Sequence, residues 1–107
     1  MTKRLNLVSN GFTRRPDLDF SDDGTRFVAY DYNGLPITYC KYIGNYYLQI
    51  RVDYLKNSFN YKDWMNTEEY KLAHEFNGVS EVNVDKLIEN CIRIKAKVAE
   101  LNAIANS

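Results

Sequence analysis

No recognised catalytic constellation is present in this sequence. It has no GxSxG, P-loop, GxGxxG, CxxC or HExxH, so the usual nucleophile, phosphate cradle, redox pair and zinc site have no carrier. The single histidine, His74, has no cysteine, second histidine or serine motif near it in sequence. It reads as a surface or boundary residue rather than a catalytic base. The neighbouring carboxylates Asp22–Asp23 and Glu68–Glu69 read as solvated pairs, with no burial signal to raise either pKa. An uncharacterised enzyme is therefore only the third reading, and neither a cofactor nor a metal is expected. Two cysteines, Cys40 and Cys91, are too few for a disulfide framework. Both are expected reduced, which together with the absence of an apolar signal centre in MTKRLNLVSNGF points to a cytoplasmic protein. No apolar run approaches the ~18 residues of a membrane span. Formal net charge is zero, which gives a general polyanion-binding role no support.

What the chain does have is concentrated between Arg26 and Leu55. Three runs of β-branched and aromatic residues are separated there by Asn33-Gly34 and Gly44-Asn45, dipeptides that tolerate the positive φ of two-residue hairpin turns. A first turn at Asn33-Gly34 sets Tyr32 opposite Leu35, Tyr30 opposite Ile37 and Val28 opposite Tyr39. A second at Gly44-Asn45 sets Ile43 opposite Tyr46, Lys41 opposite Leu48, Tyr39 opposite Ile50, Ile37 opposite Val52 and Leu35 opposite Tyr54. Side chains alternate between faces with period two. Both turns then gather Val28, Tyr30, Tyr32, Leu35, Ile37, Tyr39, Ile43, Tyr46, Leu48, Ile50, Val52 and Tyr54 on a first face. The second face carries Phe27, Ala29, Asp31, Pro36, Thr38, Cys40, Tyr42, Tyr47, Gln49, Arg51 and Asp53. A three-stranded sheet with one apolar face needs a cover.

The remainder supplies it. The sequence predicts a single domain over 1–107, in which residues 1–25 are an N-terminal arm and acidic connector. Within the arm, Leu5 and Leu7 suit either a short fourth strand or an irregular segment, and Pro16 and Gly24 punctuate the connector. Asp19-x-Ser21-x-Asp23-Gly24 is similar to half a calcium loop, but the position that should offer a bidentate Glu is Tyr30, so a plain acidic turn is expected. Residues 57–66 predict a loop or one helical turn, capped by Ser58 or Asn60, whose Phe59, Tyr61, Trp64 and Met65 plug the core. Residues 67–77 predict a helix capped by Thr67 or Asn66 and ended by Gly78. Residues 83–105 predict a long helix capped by Asn83, with Val84, Leu87, Cys91, Ile94, Val98, Leu101 and Ala105 at heptad spacing. The fold class is thus α+β: a three-stranded antiparallel meander covered on one face by two C-terminal helices. About 23 helical residues span ~34 Å, against ~25 Å for the strands. The overhang from Val98 to Ala105 is expected on the 67–77 helix, on the arm, or on a second copy. Ile94, Val98, Leu101 and Ala105 are the candidate homodimer seam.

The second face then stays open and presents Phe27, Tyr42, Tyr47, Gln49 and Arg51, with Tyr42 directly across from Tyr47. Tyrosine and arginine are favoured in binding hot spots. The patch reads as a protein-binding surface, against the plainer alternatives of aromatic pairs that merely stabilise the sheet or are covered by the arm. A competing reading is a small DNA-binding protein that grips with Lys3, Arg4, Arg14 and Arg15, since phosphate neutralisation supplies such affinity. Twelve Asn and nine Tyr, with many Lys and Ile, are residues of AT-rich codons. In this the chain is similar in type to the small accessory proteins of phages and mobile elements, anti-CRISPR proteins among them. That similarity implies binding and inhibition of one host protein.

Overall fold

A computed structural model describes residues 5–107. Six strands form one antiparallel sheet: β1 Thr13–Arg14, β2 Phe20–Asp22, β3 Thr25–Tyr32, β4 Leu35–Tyr42, β5 Asn45–Ile50 and β6 Asn77–Val79. The spatial order is β1-β3-β4-β5-β6, and β2 shares the β1 edge of β3. Three helices follow or interrupt: α1 Tyr61–Met65, α2 Glu68–Ala73 and α3 Val84–Ala105. The expected α+β architecture is present, with the meander β3-β4-β5 at its centre.

The first hairpin has the predicted register, with Tyr32 opposite Leu35, Tyr30 opposite Ile37 and Val28 opposite Tyr39. The second turn differs. Its loop residues are Ile43 and Gly44, both at positive φ, and not Gly44 and Asn45. Tyr42 faces Asn45, Tyr39 faces Leu48 and Ile37 faces Ile50. Moving the loop by one residue moves each pairing by two, so every side chain keeps its face. Leu35, Ile37, Tyr46, Leu48, Ile50 and Val52 are accordingly buried on the first face. Ile43 is not, because it sits in the turn itself, and Tyr54 lies in a short 3₁₀ turn, Val52–Tyr54, after the strand has ended.

Three further segments differ in part from expectation. The acidic connector does turn ahead of the first long strand, and it also carries a strand, β2. Asp23 and Gly24, both at positive φ, close a β2–β3 hairpin with Phe20 opposite Phe27. Of the two forms open to Leu5 and Leu7 the irregular one is present; the arm's strand is Thr13–Arg14, and Leu7 and Phe12 are buried against the core around a Val8–Asn10 turn. The 67–77 helix ends at Ala73, and residues 77–79 pair with β5. Without them the backbone groups at one edge of β5 would lack partners, and such groups are rarely left unpaired in an interior. The amide of Leu48 donates to the Phe76 carbonyl, which continues that edge.

The helices are capped by the expected side chains. Asn60, Thr67 and Asn83 each accept a backbone N–H from the first turn of α1, α2 and α3. Trp64 and Phe59 are buried plugs, whereas Tyr61 and Met65 are exposed. α3 lays Leu87, Cys91, Ile94 and Val98 on the first face of the sheet. Its end stays within the chain: Asn102 Oδ1 accepts the Ser58 amide at 2.8 Å, and Val98 is 8% exposed. Cys91 lies under α3 and Cys40 on the other side of the sheet, and both are free thiols.

Candidate functional site

Asp19 stands at the β1–β2 edge of β3, on the side where Arg14 lies over the first-face ring of Tyr30. This carboxylate follows a Pro16–Leu18 turn and stands beside β3. It binds Arg14 through both oxygens at 2.6 and 2.5 Å, Arg26 at 3.2 Å and the Ala29 amide at 2.8 Å. Its hydrogen bonds from Arg14, then from the Ala29 amide and Arg26, hold its carboxyl well below the usual carboxylate range despite partial burial. Asp19 is therefore committed to holding the β1–β2 connection on β3. Among the described residues no group of acids, histidines or cysteines could hold a metal ion.

The sheet is also curled. Phe20 on β2 stacks on Phe27 with ring centroids 4.8 Å apart and planes 4° apart. The same Phe20 ring lies 5.8 Å from the guanidinium carbon of Arg51, which follows β5 and is separated from β2 by two strands. A flat sheet with a ~4.8 Å strand spacing would hold these groups much farther apart. The second face is therefore concave rather than open and flat. Ala29, Thr38 and Cys40 at its bottom are buried.

The hollow has a volume of about 530 Å³ and is lined by Phe20, Asp22, Phe27, Thr38, Tyr47, Gln49, Arg51, Tyr54 and Asn77. That size falls within the range of ordinary ligand pockets. Arg51 is its best-fixed group. It forms a two-pronged pair with Asp53 at 2.9 and 2.6 Å, reaches Thr38 Oγ1 at 3.5 Å and stacks 4.3 Å over Tyr54. Asp53's carboxyl is lowered by its hydrogen bond from Arg51, so this charge is already neutralised. The hollow offers rings, amides and phenols around a guanidinium that does not have to be ordered on binding.

Of the five residues singled out from the sequence, Phe27, Tyr47, Gln49 and Arg51 line this hollow together. Tyr42 does not: it stands outside, 55% exposed, beside the Ile43-Gly44 turn. The expected Tyr42–Tyr47 pair is absent, since Tyr47 faces Cys40. Phe20, Asp22, Tyr54 and Asn77 escaped the sequence reading. A signal for the first two was available: Asp-Gly at 23–24 stands ten residues before Asn33-Gly34, which stands ten before Ile43-Gly44. An Asp-Gly pair at that spacing is a hairpin signal.

The other candidate sites divide between the core, internal ion pairs and the undescribed arm. Lys3 and Arg4 lie outside the described residues. Arg14 is bound to Asp19, and Arg15 to Asp17 at 2.9 Å and Asp31 at 3.4 Å. Ile94 and Val98 of the dimer seam are buried in the chain's own core, Leu101 is half-buried and Ala105 is exposed. His74 meets Tyr70 edge to face, with ring centroids 4.6 Å apart, and burial lowers its pKa. Burial pushes the Cys91 thiol up to about 12; so high a value suits a structural cysteine rather than a nucleophile. No helix among the described residues is long and apolar enough to cross a membrane. The sequence matches no known protein family, curated protein or solved structure.

Proposed function

We propose that this chain is a small, non-enzymatic protein-binding module that engages a partner through the concave face of its curled sheet. The observation that carries this reading is the convergence of Phe20, Phe27, Tyr47 and Tyr54 with the prefixed Arg51 on one hollow. Aromatic rings and arginine in a concave, partly desolvated setting are what anchor protein interfaces. In type the module belongs with the inhibitory accessory proteins of phages and mobile elements, acting in a host cytoplasm. DNA binding through the arm is disfavoured by the internal pairing of Arg14 and Arg15.

The test is affinity capture from the source cells with the intact chain, beside Tyr47→Ala, Gln49→Lys and an Arg14→Glu/Arg15→Glu variant, at low and high salt. The reading predicts one protein retained at both salts and lost with Tyr47→Ala and Gln49→Lys. Retention of nucleic acid that falls steeply with salt and with the arginine changes would overturn it. So would a captured protein that ignores both changes in the hollow.

A further inference from the structure

α3 has a second apolar face. Its inward side carries Leu87, Asn90, Cys91, Ile94 and Val98, all buried. At about 100° per residue, Ile88, Ile92, Ala96, Ala99 and Ala103 fall within an arc of roughly 80° turned to solvent. Ile92 is 58% exposed, the three alanines are exposed and Ile88 is half-buried. The outer side of a surface helix is ordinarily charged. Here Glu89, Arg93 and Glu100 stand along one flank, Lys95 on the other is bonded to the Asn33 carbonyl, and Asp85 precedes the face at its N-terminal end.

We propose that this face packs antiparallel against the same face of a second copy, about a two-fold axis beside Ala96 and Lys97. Residues equally distant on either side of such an axis come opposite one another, and each contact occurs twice. Arg93 then meets the second copy's Glu100, and its own Glu100 meets the second copy's Arg93. Ile92 enters the gap between the second copy's Ala99 and Ala103, where small side chains let the helices approach closely. The parallel arrangement sets Ile92 on Ile92, which size opposes, and carries the Arg93–Glu100 flanks of the two copies to opposite sides of the seam, so that this ion pair cannot form. Self-complementarity of this kind selects a second copy over an unrelated helix. Arg93 now lies 3.5 Å from Glu69, and Glu100 lies 2.9 Å from Lys97. In each pair the residue that would turn to the second copy is the more exposed one, and Glu69 and Lys97 are the more buried. Because α3 covers the first face of the sheet, the hollows on the second faces of the two copies remain free, which would make the assembly bivalent.

Sedimentation equilibrium of the full chain over a range of concentrations tests this, with circular dichroism confirming that each variant is folded. The wild type is expected to reach dimer mass, and Ile92→Asp to stay at monomer mass. Arg93→Glu and Glu100→Arg should each weaken association at least tenfold, and the two together should restore it. A96C should oxidise to a covalent dimer in high yield, since Cys40 and Cys91 are buried. Wild type at monomer mass at every concentration overturns the proposal. A dimer that the double charge exchange fails to rescue, or that Ile92→Asp leaves intact, overturns it equally.

Discussion

At the scale of single residues, Ile43 is the most strained position in the described sheet. A β-branched side chain at φ +48° crowds its own backbone, at a cost of about 1–2 kcal/mol. The side chain is 81% exposed and recovers little by burial. Ile43→Asn should therefore stabilise the fold by about 1 kcal/mol, visible as a melting temperature about 4 °C higher or more. Asp19 illustrates the opposite case, a side chain with every acceptor in use. Its carboxyl is depressed in the fold, so its stabilising contribution is complete above the ordinary carboxylate pKa and fades as pH falls through the lower folded value. Asp19→Asn should lower the urea midpoint at neutral pH and flatten its decline in acid. His74 titrates nearer neutrality. Burial lowers its pKa below 6.5, so the unfolded chain takes the proton first. Its contribution is present above that pH and is lost as pH falls toward the folded value. Urea titrations at pH 8 and pH 5.5 should show less of this loss in His74→Gln, which cannot be protonated.

At the scale of elements, local pattern and long-range pairing compete, and the second often wins. Residues 74–77 have helical character, yet the open edge of β5 draws 77–79 into β6. Gly78 allows this at φ +86°, lying against the Tyr47 ring. Gly78→Ala should cost more than the ~1 kcal/mol of an ordinary Gly/Ala exchange, because φ is positive. Faster amide hydrogen exchange confined to β5–β6 would show it. The plug at α1 was legible because Phe59 and Trp64 are too apolar for a free linker, but which of its four large residues turn inward was not. Trp64→Ala should cost about 3–5 kcal/mol, a large part of the stability of a domain this size. By contrast, Ile92→Asp on the outer face of α3 should leave the monomer's unfolding free energy, from urea titration, within about 0.5 kcal/mol of wild type.

At the scale of the whole molecule, the curl of the sheet is what turns a row of outward residues into a hollow. It shows in Phe20 reaching across to Arg51, next to the Asp19 contacts that tie the β1–β2 connection to β3. Those contacts join residues 19–20 with residues 14, 29 and 51, and no periodicity records them. The hollow's near half, Phe27, Tyr47, Gln49 and Arg51, could be read from alternation. Of its far wall only the hairpin that carries Phe20 was signalled, by Asp23-Gly24; Phe20 reaches the hollow through curvature, Tyr54 through a 3₁₀ turn, and Asn77 through a strand formed only by pairing.

The sequence by itself determined which side chains share a face within the strands, though not Ile43 and Tyr54 beyond their ends. Strand periodicity is two, and even a turn misplaced by one residue shifts the pairing by two and leaves that division intact. It also determined the helix caps, the inward stripe of α3 and the register at Asn33-Gly34, all of which rest on neighbours within a few positions. Tertiary structure alone decided where the second hairpin bends, which segment completes the β5 edge, and whether the second face is flat or concave. Each of those is a choice between local conformations of similar energy, and contacts distant in sequence tip the balance.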